Sequence, residues 1–298
     1  MTDRSGAPVV VGVDGSPTAL DAVRVAARMA ATRHRPLRVV HAFIWPLYGV
    51  PLGPVPAAPP DAGLRHEAEK LVAEAVDEAG KVSAELTVTG AVVDGPATPV
   101  LLRESRDAAL LVLGHRGLGG FAELLVGSSA VQVTARADCP VLVIRDEPRA
   151  DGPVVVGVDG SPLSTEAIGF AFAEAAQRGT SLVAVHAWLY PASVGPGDIV
   201  PLVYEPEALA AEEGRVLAES LAGWSEQYPQ VPVRQQLVAG APARVLVEES
   251  TDAQLTVVGA HGRGAFRGLL LGSVSHAVLH HARSPLAIVR HHKGGAAS

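Results

Sequence analysis

Apolar residues fall along this chain in two alternating rhythms. PVVVGVD, residues 8–14, is an unbroken run rich in β-branched residues, the pattern of a strand buried on both faces. SPTALDAVRVAARMAATRH, 16–34, then takes up helical spacing, with Ala19, Val23, Ala26, Ala27 and Ala30 on one stripe. Ser16 before Pro17 supplies an N-cap and a proline at the first helical position. LRVVHAF, 37–43, reads as a second strand, and the proline-rich stretch 45–61 as a long loop. RHEAEKLVAEAVDEAG, 65–80, is a helix with a polar face, closed by Gly80. AELTVTGAVV (84–93), ALLVLG (109–114) and PVLVIR (140–145) complete the strands, with helices over 97–108 and 128–137.

The whole pattern is then repeated. VVVGVDGSP at 9–17 returns unchanged at 154–162, an offset of 145 residues that also relates His41 to His186 and Pro140 to Pro285. One offset from first strand to last means two copies of a complete domain, expected over 7–145 and 153–290, with a linker at 146–152 and a flexible tail at 291–298. Strands alternating with crossover helices predict the α/β class. Each copy is expected to be a five-stranded open parallel sheet covered by helices on both faces, Rossmann-like in layout.

Between the fourth strand and the fourth helix each copy places glycines at fixed spacing. The first has Gly114-x2-Gly117-x9-Gly127-Ser128 and the second Gly259-x2-Gly262-x9-Gly272-Ser273. The residues between have diverged, LGGFAELLV against RGAFRGLLL, while the spacing persists. A strand end, a glycine loop and a helix start make a phosphate cradle. Helix N-termini expose unpaired N–H groups and partial positive charge, and glycines let backbone approach a phosphate closely. Neither segment contains the GxxxxGK[ST] of a P-loop, and the position after the fourth strand is not that of the dinucleotide fingerprint.

Composition narrows the partners. Hydrophobic residues make up 48% and charged residues 18%, enough for a large core, while aromatics at 4% leave that core to Val, Leu, Ile and Ala. A net charge of −7 without any basic block argues against nucleic acid and against docking on anionic membranes. The stretch 39–60 carries no Asp, Glu, Lys or Arg, yet its six prolines prevent a membrane-spanning helix. A single cysteine, Cys139, excludes an internal disulfide, and the N-terminus lacks the apolar segment of a signal peptide. The expected location is the cytoplasm.

The doubled G-x2-G-x9-G-S pattern, the Asp ending the first strand in GVDGS and the CPVLV-type fifth strand together resemble the universal stress proteins, over nearly the whole chain. The resemblance implies a tandem member of the ATP-binding type. Its adenine contacts would fall on Asp14 and Asp159, and on backbone just after the second strand at Ala42 and Ala187. Its phosphate and ribose contacts would fall on Gly114, Gly117, Gly127, Ser128 and Ser129, and on Gly259, Gly262, Gly272, Ser273 and Val274. Val274 stands where the first copy has Ser129, so the second site lacks one hydroxyl. The implied ligand is ATP, with Mg2+ allowed beside its phosphates. The implied role is stress-response regulation through nucleotide occupancy. A slow ATPase or autophosphorylating protein, and an interaction module with vestigial sites, are the alternatives. In the family the fifth strands pair across a twofold, which implies that 141–145 meets 286–290 as an intrachain pseudo-dimer, with a homodimer beyond it.

Other chemistry-bearing residues have plainer readings. DGSP is also a turn and cap sequence. His41 and His186 read as strand-end residues with no carboxylate beside them in sequence, and Cys139 as a small packed residue. His276, His280 and His281 have metal-ligand spacing that the first copy lacks. Arg116, Arg263 and Arg267 flank the glycines and read equally as phosphate ligands or as a solvated face. The aromatic loops with Trp45, Tyr48, Trp188, Tyr190 and Tyr204 read as a lid, a partner surface or a wrap around the sheet edge.

Overall fold

The structure is a computed structural model and describes residues 6–44, 62–118, 125–145, 149, 151–189, 206–263 and 270–290. Contacts divide the chain into two units, the first running to Glu147 and the second spanning Pro148–His291. In the first unit the order is β1 (Val9–Val13), α1 (Pro17–Thr32), β2 (Leu37–Phe43), α2 (Ala62–Gly80), β3 (Val88–Asp94), α3 (Ala97–Glu104), β4 (Leu110–Gly114), α4 (Ser128–Arg136) and β5 (Val141–Ile144). The second unit follows with β6 (Val154–Gly157), α5 (Pro162–Arg178), β7 (Leu182–Trp188), α6 (Pro206–Leu221), α7 (Trp224–Gln227), β8 (Val233–Ala239), α8 (Pro242–Glu249), β9 (Leu255–Gly259), α9 (Ser273–His281) and β10 (Leu286–Val289).

Both units use the same parallel sheet, ordered β3-β2-β1-β4-β5 in the first and β8-β7-β6-β9-β10 in the second. The chain winds one way from β1 to β2 and the other way to β4. The ends of β1 and β4 therefore flank the crevice where such sheets hold ligands. In the first unit α1 and α2 pack together, and α3 packs on α4 across the sheet. The predicted stripe of α1 is buried throughout, and Val9, Val10 and Val11 are buried on both faces of β1. Each such valine contributes roughly 1.5–3 kcal/mol relative to exposure. Gly12 lets α3 close on the sheet, since a Cβ there would meet Leu113 Cδ2 at 2.8 Å and Leu101 Cδ2 at 3.0 Å.

The predicted caps form. Ser16 Oγ accepts from the Ala19 N–H and Ser161 Oγ from the Ser164 N–H, so each helix after the DGSP turn starts at its proline. The copies part company at one helix. Gly223, at φ 80°, stops α6 and starts α7, whereas α2 runs unbroken through Glu78 at the equivalent position. Trp224 on α7 stacks on Phe172 and Tyr228, at 5.9 and 6.4 Å between centroids, and bare Gly169 makes room beneath its ring. No described helix is long and apolar enough to cross a membrane.

Candidate functional site

The turn after β1 and the glycine loop after β4 are locked together by one side chain. Asp14 Oδ1 accepts from the Ser16 N–H at 3.0 Å, an Asx turn, while Oδ2 crosses to accept from the Leu118 N–H at 2.9 Å. The second unit repeats this with Asp159, whose oxygens accept from the Ser161 N–H at 3.0 Å and the Arg263 N–H at 2.7 Å. The turn-and-cap reading of DGSP is therefore correct, and the same carboxylate also holds the glycine loop. Gly117 and Gly262 make that possible. A Cβ on either would overlap the Asp carboxylate, Oδ2 of Asp14 in one case and of Asp159 in the other.

The other glycines bring backbone into contact. A Cβ on Gly114 would lie 2.9 Å from Thr18 Oγ1, and Thr18 Oγ1 donates to the Arg116 carbonyl at 2.6 Å. Gly127 donates to the His115 carbonyl and Gly272 to the Ala260 carbonyl, both at 2.8 Å, which folds the helix start back onto the strand end. Each is the N-cap of its helix without a capping side chain. Ser128–Ser129 and Ser273–Val274 thus occupy the first turns of α4 and α9, whose leading N–H groups have no intrahelical acceptor. In the second copy Ser275 Oγ donates to the Gly259 carbonyl at 2.6 Å, an extra tie that Ala130 lacks.

Ala42 and Ala187 lie inside their strands rather than after them, paired with Val93 in β3 and Val238 in β8. Their carbonyls still face the crevice. The Pro36 carbonyl accepts from β1 and that of Phe43 from Gly95 at the end of β3, so even-numbered carbonyls of β2 turn toward β1. The β1 register ends with Val13 opposite His41, which leaves the Ala42 carbonyl one step beyond. In β7 the carbonyls of Ser181 and Val185 accept from the β6 side and that of Trp188 from Gly240, so Ala187 is likewise directed past the end of β6.

In the second unit these pieces surround a cavity of about 600 Å3. All seven second-copy candidates line it: Asp159, Ala187, Gly259, Gly262, Gly272, Ser273 and Val274. In the first unit Asp14, Gly117 and Gly127 converge, with a Gly127 Cβ position 4.0 Å from the Gly117 nitrogen. A separate hollow of about 670 Å3 between α2 and the end of β2 is lined by His41, Leu71 and Leu118 and shares none of the candidate residues.

Sequence comparison agrees with this architecture. The family model described as the Universal stress protein family matches residues 7–145 and again 152–290. The chain belongs to the universal stress protein family. It is 42% identical to universal stress protein Rv1996 of Mycobacterium tuberculosis over 95% of this chain and 94% of that one. It is also 42% identical to universal stress protein Rv2005c of the same organism, over 95% and 96%. The crystal structure of a universal stress protein from Archaeoglobus fulgidus superposes with a TM-score of 0.67 at 18% identity, covering 96% of this chain and 98% of that one, a likeness of fold.

One neighbour of the candidate site escaped the sequence reading. His41 and His186 each close a strand end through Nδ1, on the Val13 carbonyl at 2.8 Å and the Val158 carbonyl at 2.6 Å. His186 also has a carboxylate partner, Glu213 on α6, with Nε2 2.7 Å from Oε2. Glu213 is distant in sequence and is replaced by Ala68 in the first copy, so neither spacing nor repetition marked it. His276 and His280 lie 4.6 Å apart on α9 with their rings tilted at 43°, and among the described residues no group of three metal-binding side chains forms. Cys139 is buried, as a packed residue would be. Arg267 and the loop aromatics apart from Trp188 lie outside the described residues, as do 119–124 and 264–269 of the glycine loops.

Proposed function

We propose that the protein is an ATP-binding regulatory protein with one nucleotide site per domain, nucleotide occupancy changing its conformation or its association with a partner. The observation that carries this reading is the bare Cα of Gly262 held against the Asp159 carboxylate, with the N-terminus of α9 and the 600 Å3 cavity beside it. A side chain there would displace the Asp159 carboxylate, and beside it the first-turn N–H groups of α9, without intrahelical acceptors, border a space large enough for a nucleotide.

The roles divide by chemistry. A carboxylate has about four acceptor positions, and Asp159 has two engaged by backbone, so it retains capacity for the exocyclic amine of adenine. The Ala187 carbonyl can accept from the same edge. Guanine offers a carbonyl where adenine has its amine, so two acceptors here select adenine. The glycine loop, the first turn of α9 and Ser273 would hold the phosphates through N–H and O–H donors. Asp14, Ala42, Gly117, Gly127 and Ser128 take the same parts in the first domain. Mg2+ would add charge neutralisation at the phosphates.

We infer also that the domains join at 146–152 and that the fifth strands pair within the chain, because β5 and β10 each end an apolar ladder that proteins keep covered.

Denaturing the purified protein and identifying released nucleotide by chromatography tests the reading, with Asp14→Ala and Asp159→Ala alongside. Two ATP per chain, falling to about one in each variant, is expected. No nucleotide, and none bound on addition of ATP, would refute it and leave an interaction module as the better account.

A further inference from the structure

The two sites share a backbone but differ sharply in charge. In the first, Gly15 at φ 88° is covered by apolar side chains, a Cβ there meeting Leu71 Cδ1 at 2.8 Å and Leu118 Cδ1 at 3.7 Å. In the second, the equivalent Gly160 at φ 71° lies directly beneath the guanidinium of Arg263, which stands where the first copy has Leu118. Arg263 Nη1 is 4.0 Å from Glu213 Oε2, and Glu213 stands where the first copy has Ala68. Both side chains line the 600 Å3 cavity together with Gly262 and Ser273.

Counting protons shows which of these charges is available. The Val158 carbonyl can only accept, so His186 Nδ1 carries a proton. The 2.7 Å contact between His186 Nε2 and Glu213 needs a second proton, on one partner or the other. Histidine and glutamate together are then neutral, whichever holds it. Glu213 is thus committed to a buried ring 3% exposed, and its hold on Arg263 across 4.0 Å is weak for a side chain half in solvent. The carboxylate of Asp159 meets Arg263 through the backbone N–H. Arg263 is left as a cation at the cavity wall, parked on a glycine and lightly restrained.

We propose that Arg263 reads the phosphate chain in the second site, turning from Glu213 to the phosphates and giving that site a preference for ATP over AMP. Glu213, committed to His186, is only a weak resting contact for the guanidinium at 4.0 Å, from which it is readily released. The proposal rests on the nucleotide reading above. Arg116 in the first copy precedes Gly117 and aligns with His261, so it is not a substitute for Arg263.

The test uses full-length protein and calorimetric titration with ATP and with AMP. Gly117→Val, which drives a side chain into the Asp14 carboxylate, leaves only the second site, and Asp14→Ala serves as an independent block should the valine chain not fold. In either background Arg263→Leu is expected to reduce the ratio of ATP to AMP affinity by roughly tenfold or more, the range of a lost charge-assisted bond. Leu118→Arg in a Gly262→Val chain is expected to raise that ratio in the first site. A ratio unchanged by Arg263→Leu overturns the proposal while leaving the nucleotide site standing. Binding in the wild type that disappears in both first-site blocks overturns it too, since the second site would then be empty of function. Absence of binding in every chain sinks the nucleotide reading itself.

Discussion

The contact between Gly262 and Asp159 can be measured without any ligand. Gly262 has a φ outside the left-handed region, so alanine fits its backbone, and the only obstacle is the carboxylate that a Cβ would overlap. In Gly262→Ala the Asp159 side chain must rotate away, losing its bond to the Arg263 N–H. That bond is exposed, which puts the expected cost at about 1–2 kcal/mol rather than the full value for a buried charged acceptor. Asp159→Ala removes both bonds, to Ser161 and Arg263, for about 2 kcal/mol. With the carboxylate gone, alanine at 262 meets nothing. The double variant should therefore cost about 2 kcal/mol, not the 3–4 kcal/mol of simple addition, a coupling of roughly 1–2 kcal/mol.

Urea titration followed by tryptophan fluorescence suits this cycle, because Trp188 and Trp224, two of the three tryptophans, belong to the second unit. Midpoints should move without a change in slope, since the surface exposed on unfolding is unaltered. Additivity to within about 0.5 kcal/mol would refute the claim that Gly262 is there for Asp159. The same cycle on Gly117 and Asp14 should give the same sign.

Three further outcomes are expected. Gly169→Ala places a Cβ 2.5 Å from Trp224 Cη2 and should cost about 1–3 kcal/mol, because the ring cannot retreat without leaving Phe172 and Tyr228; denaturant midpoints and near-ultraviolet dichroism check it. Thr256→Val breaks the buried hydroxyl pair with Ser284, at 2.7 Å, for about 1 kcal/mol, whereas adding Ser284→Ala should recover most of the loss; the first copy already holds Leu111 and Cys139 at these positions. Hydrogen exchange should find the amides of 141–144 and 286–289 slow on both edges if the fifth strands pair, and fast outward-facing amides would exclude the pairing.

Much of the fold was legible because it rests on local rules. The buried strands announce themselves as β-branched runs, and Ser16-Pro17 and Ser161-Pro162 mark helix starts that the structure places there. The misses have physical causes. AELT before Val88 precedes the β2 register, which begins with Leu37 opposite Val88: Leu86 is turned back onto the Ser83 carbonyl, and of the four only the Thr87 carbonyl reaches β2, accepting from the Leu37 N–H at 2.9 Å. The helix α2 begins at Ala62, three residues before the Arg65 start read from the pattern, because Gly63, a weak helix former, disguises its first turn. Repetition predicts that α6 runs on as α2 does, but Gly223 takes a left-handed φ of 80° and breaks it. Glu213 had no local signal at all, since its partner arrives from β7 through the fold.

What duplicated faithfully and what drifted differ in kind. The parts of the site that recur, Asp14 and Asp159, the paired glycines and the helix starts, fix backbone positions, and a change in any of them moves the loop itself. The parts that diverged, Ala68 and Glu213, Leu71 and Val216, Leu118 and Arg263, are side chains laid over that backbone. Where Asp14 and Asp159 hold the loop at Leu118 and Arg263, the proposed binding would carry less ordering cost there. The loop geometry then tolerates replacement of the surrounding side chains. Under the proposed function, two copies keep one way of holding a phosphate while one of them gains a cation to weigh how many phosphates are present. The asymmetry is for that reason to be sought in ligand preference between the sites rather than in whether each site binds.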